Sequence, residues 1–145
     1  MKMSQSNYLI NGPIGPDRIA AETISRGADP DNGAYSLFLG RVRSDLSGSS
    51  LVEAIEYSAY PEMVDKVMDG LRAELKSRYP FLTGLRVLHS TGLVRAGEVS
   101  LLVMVAGRHR TQIFEALAAC VELIKERLPI WKKEVMADGS SRWIE

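Results

Sequence analysis

Four groups of basic side chains in this 145-residue chain have the types and spacings that bind anions. Arg41-Val42-Arg43 places two guanidiniums on one strand face, and a guanidinium matches a phosphate bidentately. Arg108-His109-Arg110 stands where an apolar run gives way to a helical pattern, so main-chain N–H groups at the helix start could add to its charge. Lys125 and the Lys132-Lys133-Glu134 segment lie on either side of Pro129. A helix carrying Lys125 in its last turn stops before that proline, and the chain then reads as a short strand. In the strand, Ile130, Lys132 and Glu134 point to one face, and Trp131, Lys133 and Val135 to the other. Lys125 and Lys132 could therefore converge on one anionic ligand. Each group also has a plain reading: a solvated strand end, a turn, a cation facing a helix C-terminus, a salt-bridged strand that resists aggregation. Lys133 fits the last well. Lys132 fits it less well, since it shares a face with Glu134 and follows Pro129-Ile130-Trp131.

The elements that must hold these groups are legible in outline. Tyr8 to Asn11 reads as a short strand, and Asp17 to about Arg26 as a helix with Ile19, Ala20, Thr23 and Ile24 inward. After the turn cluster Asp29-Pro30-Asp31-Asn32-Gly33, Ala34 to Arg43 reads as a strand with a bulge at Gly40. Ser44 to Ser50 is small and polar, and reads as a mobile loop beside the arginine pair. Leu51 to Tyr57 is a strand, and Pro61 opens a helix to about Arg78 with a stripe of Val64, Val67, Met68, Leu71 and Leu75. Two apolar strands follow, Leu85 to His89 and Val99 to Ala106. Thr111 is the expected N-cap of a last helix whose inner face is Ile113, Leu117, Cys120 and Ile124. A turn at Gly139 and a final strand around Trp143 end the chain. This mixture, with several antiparallel neighbours, predicts one α+β domain over residues 1–145.

Composition narrows the function classes. Lys+Arg and Asp+Glu both number 18, so the formal net charge is zero, which argues against a general nucleic-acid binder. Hydrophobic residues at 46% and charged residues at 25% are ordinary for a globular protein. The single cysteine, Cys120, excludes an internal disulfide, sits in an apolar helical pattern and points to a reducing cytoplasm. The N-terminus is too polar for a signal peptide, and no apolar run is long enough to span a bilayer. Two separated histidines and one cysteine make no metal-ligand set, and no GxSxG, Walker A or GxGxxG pattern is present. From the residues alone, the reading is an α+β domain with a basic pocket for a small phosphorylated anion.

The same residues, taken in order, resemble the family of large, catalytic subunits of molybdopterin synthase. The likeness runs through Gly33-Ala34 and Phe38-Leu39-Gly40-Arg41-Val42-Arg43, then Glu56-Tyr57-Ser58-Ala59-Tyr60 and Met63. It continues with His89, Thr91-Gly92, Gly97-Glu98, His109-Arg110 and Phe114-Glu115-Ala116. It closes with Lys125, Pro129-Ile130-Trp131-Lys132-Lys133-Glu134 and Trp143. Such membership implies an α+β fold with a largely antiparallel sheet and a hammerhead-like subdomain. It implies a sulfurtransferase that converts cyclic pyranopterin monophosphate to molybdopterin, with no cofactor of its own. The dithiolene sulfurs would come from a small ubiquitin-like carrier bearing a thiocarboxylate on its C-terminal Gly-Gly. It also implies a homodimer with one carrier at each end, the subunit contact lying at strand edges or near Val99 to Ala106.

The resemblance assigns roles residue by residue. Lys132 is the implied catalytic lysine and Lys125 its neighbour. Arg41, Arg43, His109 and Arg110 are implied phosphate-binding groups, Glu134 an acidic pocket position, and Val42 and Lys133 lie inside the matching segments. Two departures matter, and one is that many relatives continue past the position of Glu145 with a polar, basic tail. The family commonly has arginine where this chain has Ser90, so a basic contribution is missing or comes from Arg86 or Arg95. A scaffold subunit that holds the carrier without catalysis is the alternative reading.

Overall fold

The computed structural model describes residues 6–27 and 29–144. Its elements in chain order are β1 (Leu9–Asn11), α1 (Pro16–Gly27), β2 (Ala34–Arg41), β3 (Leu46–Ser47), β4 (Ser50–Ala59) and α2 (Pro61–Arg78). They continue with β5 (Leu82–Arg95), β6 (Val99–Gly107), α3 (Ile113–Arg127), β7 (Ile130–Met136) and β8 (Ser141–Ile144). The strands form one sheet in the order β2-β6-β5-β4-β7-β8, with β1 added parallel to β5 and β3 added to β4. All the other pairings are antiparallel. The fold is α+β, as the sequence predicts.

Strand β6 explains the layering. It is buried along its whole length, as its unbroken Val-Ser-Leu-Leu-Val-Met-Val run requires of a strand covered on both faces. Leu101, Val103 and Val105 join the cluster under α2 and α3, which includes Val64, Met68, Leu71, Leu75, Ile113, Cys120 and Ile124. Leu102 and Met104 face the other way and pack with Ile14, Leu88 and the partly buried Ile19 beside α1. A third, small cluster of Val42, Tyr57 and Val94 lies where β2, β4 and β5 meet, with Ile130 packed against it. Since β6 has no free edge or face, a subunit contact near Val99 to Ala106 would be made by the elements that cover it. The sheet leaves β2 and β8 as its edges.

Several local expectations need correction. Helix α1 turns Glu22 inward, not Ala20 or Ile24; Ile24 is 71% exposed. The cause is Arg86 on β5, whose guanidinium grips the Glu22 carboxylate at 2.9 Å and also donates to the Asn7 carbonyl. Strand β2 ends at Arg41, where its pairing with β6 shifts register, so the bulge expected at Gly40 is present. Ser44 to Ser50 is not an open loop: β3 folds back on β4 through Gly48, whose φ of 67° suits glycine. The Asp45 carbonyl accepts from Val52 N–H, and the Ser50 hydroxyl accepts from Asp138 N–H. Those bonds tie the segment to β4 and to the turn at Gly139. Strand β5 does not stop at His89; it bends at Gly92, leaves β6 and continues against β4 to Arg95. Helix α3 begins at Ile113, and its N-cap is Gln112 in the left-handed region (φ 63°) with no side-chain cap, in place of Thr111.

Candidate functional site

Helix α3 ends as its sequence dictates. Leu128 N–H closes the last turn onto the Ile124 carbonyl, Pro129 blocks further helix, and Ile130 starts β7. Lys125 therefore sits exposed in the last turn, and Lys132 lies half-buried on the adjoining strand. The two ammonium groups are close enough to interact: burial first, and Lys125 second, hold the Lys132 amine below the ordinary lysine range.

Lys132 is flanked across β4 by Tyr57, its direct partner in the antiparallel ladder. The Tyr57 ring stands edge-on to the His89 ring at 5.0 Å between centroids, and its hydroxyl lies 3.1 Å from that of Ser100. His89 is buried, and its Nδ1 lies 2.8 Å from the Ser90 carbonyl oxygen. Burial dominates in pushing its pKa down to about 4, against the pull of the Ser90 carbonyl, and Lys132 and Lys125 add to the depression. His89, Lys125 and Lys132 thus form one electrostatic group. Sequence reasoning left His89 without a role. The missing signal was the bend of β5, which brings His89 beside Tyr57.

The segment that carries the arginine pair touches the same region through Val42. Val42 is 3% exposed and packs with Tyr57 and Ile130, so its side chain meets the core and not a ligand; it leaves the candidate list. On either side of it, Arg41 donates to the Gly97 carbonyl (2.8 Å), and Arg43 is highly exposed and paired with Asp45 (3.1 Å). Glu134 shares the Lys132 face but is held by Arg142 on β8 (2.8 Å). Lys133 leaves the list too. It points to the opposite face, pairs with Glu56 (3.1 Å) and lies over the Trp143 ring at 5.4 Å.

His109 and Arg110 lie elsewhere. Ladder pairs Arg41↔Val99 and Ala34↔Gly107 mark opposite ends of β6, a span of roughly 25 Å at strand rise. Helix α3 gives the same answer, since it starts beside the Arg108–Thr111 turn and carries Lys125 about 18 Å further along at helical rise. The turn lines its own cleft of about 410 Å³ with Gly33, Arg108, His109, Arg110 and Thr111. Gly33 is indispensable there, because a Cβ would lie 1.9 Å from the Arg108 carbonyl oxygen. Among the described residues, the basic side chains singled out in the sequence therefore fall into two separate groups.

Ser90 changes less than its position in the motif implies. By the two-residue alternation of β5 it shares the face of Arg86 and Leu88, away from His89 and Lys132. Arg86 is committed to Glu22 and supplies no charge to the lysines. Among the described residues, no group of three or more His, Cys, Asp and Glu side chains is placed to hold a metal ion, and no helix is long and apolar enough to cross a membrane.

Comparison with known proteins shows the family. The family model described as MoaE protein matches residues 10–127. A molybdopterin synthase catalytic subunit from Pyrococcus abyssi is 39% identical over 124 residues, covering 86% of this chain and 82% of the relative. The subunit of the same name from Bos taurus is 33% identical over 128 residues, covering 88% and 67%. The crystal structure of molybdopterin synthase from Staphylococcus aureus superposes with a TM-score of 0.81 at 28% identity, covering 99% of each chain. A complex of subunits 1 and 2 of molybdopterin-converting factor from Helicobacter pylori shares the fold, with a TM-score of 0.80 at 20% identity over 95% and 89% of the two chains. On these likenesses the chain belongs to the MoaE protein family.

Proposed function

We propose that this chain is the catalytic subunit of a molybdopterin synthase, an enzyme of molybdenum cofactor biosynthesis. It inserts the dithiolene sulfurs into cyclic pyranopterin monophosphate. The sulfur donor is the C-terminal thiocarboxylate of a small ubiquitin-like carrier, the partner implied by the two-subunit complex of the Helicobacter pylori neighbour. The observation that carries the reading is the convergence of Lys125 and Lys132 in a chain of this family. Both reactants are anions, and bringing them together needs positive charge in a poorly solvated place. A lysine whose ammonium form is disfavoured by burial and by a second lysine offers a neutral amine more readily. Proton transfer and transient covalent capture both use that amine. The scaffold reading drew on Ser90 and on the short tail, and of these Ser90 faces away from Lys132 by the alternation of β5.

The geometry also supports a composite pocket. Arg41 and Arg43 flank Val42, which packs against Tyr57, the cross-strand partner of Lys132, whereas His109 and Arg110 stand at the far end of β6. All four serve one pterin phosphate only when the second pair comes from another copy of the chain. This favours a homodimer with two such pockets, joined through the sheet's exposed margins. The reading places the protein in a reducing cytoplasm, consistent with one buried cysteine whose thiol burial pushes up to about 12. The test is to incubate the chain with the pterin precursor and thiocarboxylated carrier and to detect dithiolene product. Product is expected, and its absence with both proteins folded and the precursor intact would overturn the reading.

A further inference from the structure

The three consecutive charged residues of β7 are not partnered alike. On one face of the strand, Lys133 is taken by Glu56 and by the Trp143 ring. On the other, Glu134 is taken by Arg142, while the Lys132 amine makes no hydrogen bond or ion pair with any described residue. Strand geometry alone does not favour that division. Lys132 and Glu134 are two residues apart on one face, about 7 Å between Cα atoms at strand rise, so a long ammonium side chain and a carboxylate can meet there. The Glu134 side chain is only 13% exposed, and low exposure strengthens the attraction between opposite charges. Strand β8 supplies the competitor. Its register sets Arg142 directly across from Glu134, and Arg142 Nε donates to the carboxylate at 2.8 Å. The same register sets the uncharged Ile144 across from Lys132.

We propose that Arg142 is a positioning residue for the lysine site: by holding the Glu134 carboxylate toward β8, it keeps the Lys132 ammonium unpaired and available to an anionic ligand. The titratable and charged groups around Lys132 come from five elements. They are Tyr57 on β4, His89 on β5, Lys125 on α3, Glu134 on β7 itself and Arg142 on β8. Of these, Glu134 alone carries negative charge at neutral pH, so it alone competes with an incoming anion for the ammonium. The direction of the Lys132 pKa agrees, because a carboxylate in contact would favour the ammonium form and raise it, whereas burial and Lys125 hold it low. Arg142 is 62% exposed and touches Lys132 only through what it does to Glu134. The proposal rests on the functional reading above for the identity of the anion, but not for the titration of Lys132.

The test follows the Lys132 amine directly. The full chain, labelled with 13C at lysine Cε, is titrated by NMR, and the Lys132 signal is assigned from its loss in Lys132→Arg. In Arg142→Ala the released carboxylate turns to Lys132, and the midpoint is expected to rise by about one unit, the effect of an opposite charge at contact distance. Combining Arg142→Ala with Glu134→Gln removes both charges and is expected to return the midpoint to near the wild-type value. Arg142→Lys keeps a cation opposite Glu134 and should leave the midpoint there too. Equal midpoints in wild type and Arg142→Ala overturn the proposal. So does a rise that persists in the double variant, since it would come from the lost charge of Arg142 or from a disturbed β8. Affinity for the pterin precursor should fall about tenfold in Arg142→Ala, the equivalent of one pKa unit, and recover in the double variant. If the midpoint shifts as expected while pterin affinity stays unchanged, the functional reading fails and the role of Arg142 at Glu134 stands.

Discussion

At the scale of single residues, the pocket is a contest between burial and charge. His89 is the case with a measurable pH signature. Its folded pKa of about 4 lies below the ordinary 6.5, so the unfolded chain binds more protons in that window and stability rises with pH there. The contribution is fully present above pH 6.5 and is lost as pH falls through about 4. The full difference is on the order of 3 kcal/mol. Urea unfolding from pH 7 to pH 4 should therefore show a steeper loss for the wild type than for His89→Phe; parallel losses would mean the ring titrates normally. Arg43→Ala and Arg110→Ala should each weaken pterin binding by roughly 1.5–3 kcal/mol, the worth of a charge-assisted contact. Isothermal titration checks this, and unchanged affinity in both variants would move the phosphate elsewhere. Alternation along β7 separates Lys132 from Lys133 in the sequence itself. The burial of Val42 was not readable there, because its partners Tyr57 and Val94 come from distant strands.

At the scale of elements, the sequence shows most of the secondary structure and little of its bending. The stripe Val64, Met68, Leu71 and Leu75 and the Pro61 start define α2 as observed, since both depend on neighbours in the chain. The course of β5 past Gly92, the start of α3 after a left-handed Gln112, and the inward turn of Glu22 depend on tertiary partners. A local pattern does not contain the Arg86 that captures Glu22, so Ile24 looks like the better core residue. The tightest such dependence is Gly33 against the Arg108 carbonyl. Gly33→Ala must displace the turn that carries His109 and Arg110, and should cost about 1–3 kcal/mol of stability, the range for overpacking a close contact. Thermal unfolding reads the stability loss, and pterin titration should weaken alongside it. An unchanged melting temperature would show that the turn yields freely.

At the scale of the whole molecule, the two basic sites at opposite ends of β6 make a prediction about assembly. Light scattering at micromolar concentration should give about twice the 16.0 kDa chain mass. Mixing Lys132→Ala with Arg110→Ala under subunit exchange should restore activity to about a quarter of the sites, because half the dimers are mixed and each has one intact pocket. No recovery would place all the binding groups within one protomer. Both results concern how the pocket is built; whether it performs sulfur transfer is settled at Lys132. The most direct measurement is dithiolene formation by the Lys132→Ala variant assembled with thiocarboxylated carrier and pterin precursor. Truncating this half-buried lysine, whose ammonium form burial already disfavours, should change stability by about 1 kcal/mol or less, so the variant stays folded. It should form no product while the wild type turns over. A folded Lys132→Ala variant with near-normal product formation would contradict the account.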